Sequence, residues 1–219
     1  MDDVDLLAGS ELFSAFQRDT LEQLVDAARV VQCDRNFVLF EEDDPAEELF
    51  VVRDGRIAVG RKSVDGRESL VALMESGDVF GEMPLFDGGN RSASARALER
   101  SDVLGIPYDF VRSCFDAKPQ LLWTVVALLA ERLRTTDSAL ADAVFLDVTG
   151  RTAKRLLELA GDQEEFQLPI TQEELAGLVG ASRERVNKSL AQFVRLGWIE
   201  QMDRRYRIVE REKLAQRSR

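Results

Sequence analysis

Residues whose types and spacing could do chemistry gather in two short stretches. The first is Gly77-Asp78-Val79-Phe80-Gly81-Glu82-Met83-Pro84-Leu85-Phe86, followed by Arg91-Ser92-Ala93-Ser94. A glycine at 81, ahead of residues able to turn into a short helix, offers free backbone N–H groups to an anion. Arg91 is a planar donor suited to phosphate, and Ser92 adds a hydroxyl and an N–H. Glu82 is an acceptor, useless to a phosphate but right for a ribose hydroxyl. Together these types describe a seat for a phosphorylated sugar. Taken alone, a surface salt bridge beside a turn accounts for the same pattern.

The second stretch is ITQEELAGLVGASRERVNKSLAQFVRL, Ile170 to Leu196. Thr171 and Glu174 form a capping box, and Leu175, Ala176 and Val179 make one apolar face. Gly180 sits where a tight turn is needed, and Ser182 can cap a second helix that buries Val186, Leu190 and Phe193. Arg183, Glu184, Asn187 and Lys188 are left on its outer face. Trp198-Ile199-Glu200, a polar turn with Arg204 and Arg205, and Tyr206-Arg207-Ile208-Val209 then read as a hairpin. A helix, a glycine turn, a helix with exposed polar groups at its start and a basic hairpin make a winged helix-turn-helix. An ordinary two-helix corner with a solvated charged face is the plain alternative. The caps, the turn glycine and the basic hairpin agree on DNA. Arg183 can then donate two hydrogen bonds to guanine and Glu184 can accept from cytosine, while Thr171, Ser182 and the wing arginines hold phosphates.

The remaining elements must position these two stretches. Pro119 to Val144 has no internal Pro or Gly after its start. Leu122, Val126, Leu129, Leu133, Thr136, Leu140 and Ala143 recur in alternating steps of four and three, a heptad stripe. A stripe this long reads as a parallel dimer seam, the alternative being a long core helix in a monomer. Thr136, with Asp137 beside it, interrupts the seam as a register device or as part of a ligand site. Between Phe37 and Ile106, short β-rich runs alternate with turn signals, Asp54-Gly55, Asp65-Gly66, Ser76-Gly77-Asp78 and Asp87-Gly88-Gly89-Asn90, which predicts a sandwich or barrel-like β domain. Ser10 to Val31 reads as helical, with Thr20 capping a second piece. Phe145-Leu146-Asp147-Val148-Thr149-Gly150-Arg151 breaks the seam. Asp147 is placed to cap the next helix, and Gly150 is the weak point of an expected hinge.

Composition narrows the classes. The 219 residues are 45% apolar and 32% charged, enough for one large or two small globular domains. There is no histidine, which removes His-ligated zinc, His-ligated haem and Ser-His-Asp catalysis. Cys33 and Cys114 are the only cysteines, too few for a disulfide framework. The acidic start is no signal peptide and no apolar run approaches the ~20 residues of a membrane span. A cytoplasmic protein with no membrane partner is expected. The net charge is −11, but 14 of the 29 Lys/Arg and only 11 of the 40 Asp/Glu lie from Arg151 onward, a local net of +3. An acidic front and a basic back imply two jobs.

These elements in this order resemble the CRP/FNR family of bacterial transcription regulators. The motifs that carry the resemblance are GDVFGEMPLF (77–86), RSAS (91–94), FLDVTGR (145–151) and GASRERVNK (180–188). It implies an α+β chain: a cyclic-nucleotide-binding, jelly-roll-like β-roll over residues 1–118, a dimerisation helix and hinge over 119–146, and a winged helix-turn-helix over 147–219. It implies cyclic AMP (cAMP) as an allosteric effector, with no catalytic residues and no metal. Gly81, the Met83 backbone, Arg91 and Ser92 would hold the cyclic phosphate, and Glu82 the ribose 2′-hydroxyl. Arg132 resembles the arginine that reaches Glu82, and Thr136 the threonine at the adenine edge. Asp137 stands at the position that reaches the adenine from the other subunit. Arg183, Glu184 and Lys188 match the base-reading positions. The implied partners are a second copy of the chain, palindromic double-stranded DNA of the GTG…CAC kind and RNA polymerase.

Four departures stand out. Asp137 occupies a position where the family's cAMP binders usually carry Ser or Asn. Lys188 replaces an arginine and loses its bidentate fork. Glu41-Glu42-Asp43-Asp44-Pro45-Ala46-Glu47 lacks the expected glycines, and the segment before Ile170 is short and acidic. Two other readings follow: a CRP-like regulator with a different effector or a vestigial pocket, and a cyclic-nucleotide-responsive regulatory subunit of an enzyme.

Overall fold

The structure, a computed structural model, describes residues 2–62, 68–203 and 205–219. The Asp65-Gly66 turn and Arg204 of the wing turn lie outside the described residues. The chain divides into two compact units. One holds the residues through Leu133 except Glu68–Leu70, and the other holds Glu68–Leu70 with Arg134–Arg219.

The first unit begins with α1 (Asp3–Gly9) and α2 (Arg18–Ala27). Strands follow: β1 (Arg29–Cys33), β2 (Val38–Phe40), β3 (Glu48–Asp54), β4 (Ile57–Lys62), β5 (Glu68–Met74) and β6 (Val79–Phe80). After α3 (Met83–Asp87) come β7 (Ser94–Ala97), β8 (Ser101–Pro107) and α4 (Tyr108–Ala117). Two antiparallel sheets result, ordered β1-β8-β3-β6 and β2-β7-β4-β5. β3 is buried on both faces, so its apolar run is continuous, and the pleat divides it. Leu49 and Val51 point into a core shared with α1, α2, α4 and the following helix. Phe50 and Val52 point into a second core with Phe40, Phe80, Ala95 and Val103. Phe40, Phe50 and Phe80 stack there with ring centroids 5.4–6.2 Å apart.

Helix α5 (Leu122–Phe145) runs unbroken for 24 residues because nothing in it interrupts the backbone ladder. Its inner face buries Val125 and Leu128. The heptad face is open in the single chain: Leu122, Val126, Leu129, Leu133 and Leu140 are 40–64% exposed.

In the second unit, α6 (Val148–Ala160), β9 (Glu165–Gln167), α7 (Gln172–Val179) and α8 (Arg183–Arg195) precede β10 (Ile199–Met202), β11 (Arg205–Ile208) and α9 (Arg211–Arg217). The strands form one antiparallel sheet, β10-β11-β9. Leu156, Leu175, Val186, Phe193, Tyr206 and Leu214 are essentially fully buried.

Three expectations are corrected. Ser10–Val31 is not continuously helical. Ser10 closes α1 by bonding its N–H and its hydroxyl to the Leu7 carbonyl, and residues 11–16 are turns whose Leu12, Phe13 and Phe16 are buried. A run of turns satisfies a three-to-four-residue apolar spacing as well as a helix does. Arg29–Cys33 is then a strand on β8, and Gln17, not Thr20, precedes α2. Gly150 is no weak point: it lies inside α6, and a Cβ there would come within 2.9 Å of the Arg217 carbonyl oxygen. The glycine lets α9 approach. Between β8 and the long helix the chain forms α4.

Asp147 caps α6 as expected, accepting from the Gly150 N–H at 2.8 Å and pairing with Arg217. Those bonds, the Gly150 N–H first, hold its carboxyl below the ordinary carboxylate value. Asp147→Ala is expected to lower unfolding free energy by about 1 kcal/mol near neutral pH, measured by urea denaturation. A depressed carboxylate stabilises above its unfolded-state pKa and loses that contribution as pH falls through its folded-state value. The gap between variant and parent should therefore close as pH is lowered below the carboxylate range.

Candidate functional site

The first site lies in the first unit, where β6 runs into α3. Gly81 has φ +72°, and a Cβ there would sit 2.5 Å from Arg91 Nη1, so this turn requires glycine. Glu82 is 0% exposed. One of its carboxylate oxygens, Oε1, accepts from Arg132 of α5, whose other guanidinium nitrogen donates to the Val79 carbonyl at 2.6 Å. Glu82 Oε2 is buried and has no hydrogen-bond partner among the described residues. A buried carboxylate oxygen without a donor suits a ligand hydroxyl. Met83 is partly exposed, and its sulfur accepts from the exposed Ser92 hydroxyl at 3.4 Å.

Arg91 is placed differently from a solvent-facing phosphate donor. It is 4% exposed. Nη1 donates to the Gly81 carbonyl at 2.7 Å and to the Tyr108 hydroxyl at 3.0 Å, and Nη2 donates to the Glu48 carbonyl at 2.8 Å. Its plane lies over the Phe40 ring at 4.0 Å. Nε is buried without a partner among the described residues. Burial lowers the Arg91 pKa from its ordinary value, and burial pushes the Tyr108 phenol up to about 12. Thr136 and Asp137, the expected base-edge residues, lie one turn beyond Arg132 on α5, in the second unit, and are exposed. The structure thus brings together Gly81, Glu82, Met83, Arg91, Ser92 and Arg132. Sequence reasoning missed Tyr108, Glu48 and Phe40. Only the tyrosine carried a signal, as a lone phenol directly after a strand.

The second site lies wholly in the second unit. Both arms of the Thr171–Glu174 capping box are present, at 2.7 and 3.2 Å. Gly180 takes φ +67°, and Ser182 caps α8 by accepting from the Arg185 N–H. α8 turns Val186, Leu190 and Phe193 inward and leaves Ser182, Arg183, Glu184 and Lys188 exposed. Asn187 is half-buried instead of fully outward. Lys188 pairs with Glu184 at 2.8 Å, which depresses the Glu184 pKa. An exposed pair of this kind is screened by solvent, so it opens readily. β10 and β11 pair Ile199↔Ile208 through Met202↔Arg205 as the expected hairpin, and β9 from the acidic segment adds a third strand. Arg151 was missed as well: its guanidinium donates to the Val179 carbonyl at 2.9 Å and the Leu146 carbonyl at 2.7 Å, tying α7 to the start of α6.

Among the described residues there is no group of three or more potential metal ligands, and no helix is long and apolar enough to cross a membrane.

Comparison with known proteins divides the chain the same way. Residues 30–118 match the cyclic nucleotide-binding domain and residues 150–217 the Crp-like helix-turn-helix domain. A CRP-like cAMP-activated global transcriptional regulator of Mycobacterium tuberculosis is 38% identical over 222 residues, covering 98% of this chain and 99% of that protein. The cAMP-activated global transcriptional regulator CRP of Escherichia coli is 33% identical over 178 residues, covering 78% of this chain and 85% of its own. Among solved structures, the c-di-GMP responsive global regulator CLP of Xanthomonas campestris superposes with a TM-score of 0.76 at 25% identity, covering 88% of this chain and 99% of that one.

Arg132→Met leaves the buried Glu82 carboxylate without this counter-charge. The expected outcome is a loss of about 2 kcal/mol of stability at neutral pH, read by urea unfolding.

Proposed function

The chain belongs to the CRP/FNR family of DNA-binding transcription regulators, and from that premise we propose that it is a cytoplasmic homodimer controlled by cAMP. One observation carries the cyclic-nucleotide reading. Glu82 is fully buried, held by Arg132 on one oxygen and, among the described residues, left with an unpartnered acceptor on the other. A ribose 2′-hydroxyl is the donor that fits. Gly81, Met83, Arg91 and Ser92 around it supply the cyclic phosphate's partners, and Thr136 and Asp137 the contacts to the base. In support of the dimer, α5 presents an apolar stripe whose Leu122, Val126, Leu129, Leu133 and Leu140 are all exposed in the single chain. Solvent-exposed leucines at heptad spacing are stabilised by a second, parallel copy.

On DNA, Arg183 reads guanine, Glu184 accepts from cytosine and Lys188 adds a point charge, while Thr171 and Ser182 hold phosphates. Helix-turn-helix dimers place their two recognition helices about 34 Å apart, one turn of B-DNA, which calls for a palindrome. Contact with RNA polymerase is part of the same proposal. A second reading, a different effector in the same cradle, is favoured by Asp137 and by the inward hold on Arg91.

Calorimetric titration of cAMP, then cyclic GMP, into nucleotide-stripped protein tests the reading. cAMP should bind at micromolar concentration or tighter, and Arg91→Ala should abolish the heat. No heat with either nucleotide in the parent protein would sink the cAMP mechanism. Leu129→Asp with Leu133→Asp should convert the dimer to monomer in sedimentation equilibrium.

A further inference from the structure

We propose that Trp123 of the partner subunit fills an apolar groove between α3, α4 and the start of α5, so that each nucleotide cradle is braced by the other chain. The seat presupposes the parallel α5 dimer and adds the residue that ties the seam to the cradle. Trp123 is 74% exposed in the single chain. It stands on the first turn of α5 beside Leu122, the first leucine of the heptad stripe. A large aromatic ring left bare beside an apolar stripe is the kind of anchor that protein interfaces bury.

Close to it, Leu85 and Phe86 of α3, Phe115 of α4 and Pro119 line a groove of about 380 Å³ that reaches Leu122. Its rim carries Arg112 and Asp116, both exposed. Phe86 packs on Phe115 with ring centroids 6.0 Å apart, and Arg112 donates to the Leu85 carbonyl at 3.4 Å, so the walls are held from within the chain. Among the described residues, the chain's own Trp123 does not line the groove. Heptad register brings the other copy's indole to it. With Leu122 and Leu129 at d and Val126 and Leu133 at a, Trp123 is an e residue and Lys118 is the preceding g. In a parallel pair, an e side chain lies beside the partner's preceding g. The partner's Trp123 therefore arrives at the level of Lys118 and Pro119, where the groove opens. The chemistry of the groove suits an indole. Its apolar walls take the ring, the Asp116 carboxylate accepts the ring N–H, and the Arg112 guanidinium lies over a ring face. The two-fold axis forms the seat twice. Because α3 begins at Met83, each indole packs against the helix that opens from the other subunit's cradle.

Fluorescence reads the seat directly. Trp123 and Trp198 are the only tryptophans, so Trp198→Phe leaves a single indole. In Trp198→Phe protein that sediments as a dimer, Trp123 emission should be blue-shifted and resistant to acrylamide. Adding Leu129→Asp with Leu133→Asp should give a monomer whose emission is that of a hydrated indole. Hydrated emission from the dimer overturns the seat and leaves the seam standing, whereas a monomeric parent overturns both. Cross-linking locates the contact. Chains with Trp123→Cys, mixed and exchanged with chains carrying Asp116→Cys, should form a disulfide-linked dimer on mild oxidation far more readily than either chain alone. No excess of the mixed cross-link overturns the proposal. Trp123→Ala should raise the dimer dissociation constant roughly thirtyfold, the weight of a buried aromatic anchor, and an unchanged constant overturns it as well.

Discussion

Arg132 joins two parts of the chain fifty residues apart, and the ligand cradle depends on that bond. A carboxylate as deeply buried as Glu82 is tolerated only with a counter-charge, since an unpaired one costs several kcal/mol in a dry interior. α5 supplies the charge and also bonds the Val79 carbonyl at the end of the strand that leads into the cradle. The consequence is mutual. The helix fixes the orientation of the acceptor that a sugar hydroxyl would use, and any ligand on Glu82 Oε2 acts on the same carboxylate that anchors the helix. A ligand can change the helix's preferred state only by binding one state better than another. This shared carboxylate is a physical means of doing so.

The second unit is organised by a different constraint, the satisfaction of helix ends. Asp147, Thr171 and Ser182 cap α6, α7 and α8 in turn, and Arg151 closes carbonyls at the end of α7 and ahead of α6. With their ends satisfied inside the unit, the helices leave Arg183, Glu184 and Lys188 exposed, Glu184 and Lys188 paired with each other.

Much of this was legible in the sequence. The recognition unit was clearest, because caps, a turn glycine and apolar spacing are local signals that chemistry imposes within a few residues. The β-roll strands were legible from their turns. Three things were not. The segment from Ser10 to Phe16 has helical apolar spacing, but Ser10 ends α1 by bonding Leu7, and only the core around Phe13 and Phe16 shows that turns suffice. Gly150 reads as flexible until the Arg217 carbonyl is seen against it. The inward hold on Arg91 depends on Glu48 and Tyr108, 43 and 17 residues away, partners that no spacing rule connects. Its charge type was readable; the direction in which it points was not.

The central claim, that nucleotide in the cradle controls DNA binding by the second unit, is tested most directly by fluorescence anisotropy. A labelled palindromic duplex with GTG…CAC half-sites is titrated with nucleotide-stripped protein, with and without cAMP, at one fixed salt concentration, because phosphate contacts make affinity salt-dependent. The account predicts tighter binding with cAMP and loss of that difference in Glu82→Ala, whose DNA contacts are untouched. DNA affinity identical with and without cAMP, in protein shown to bind the nucleotide, contradicts it.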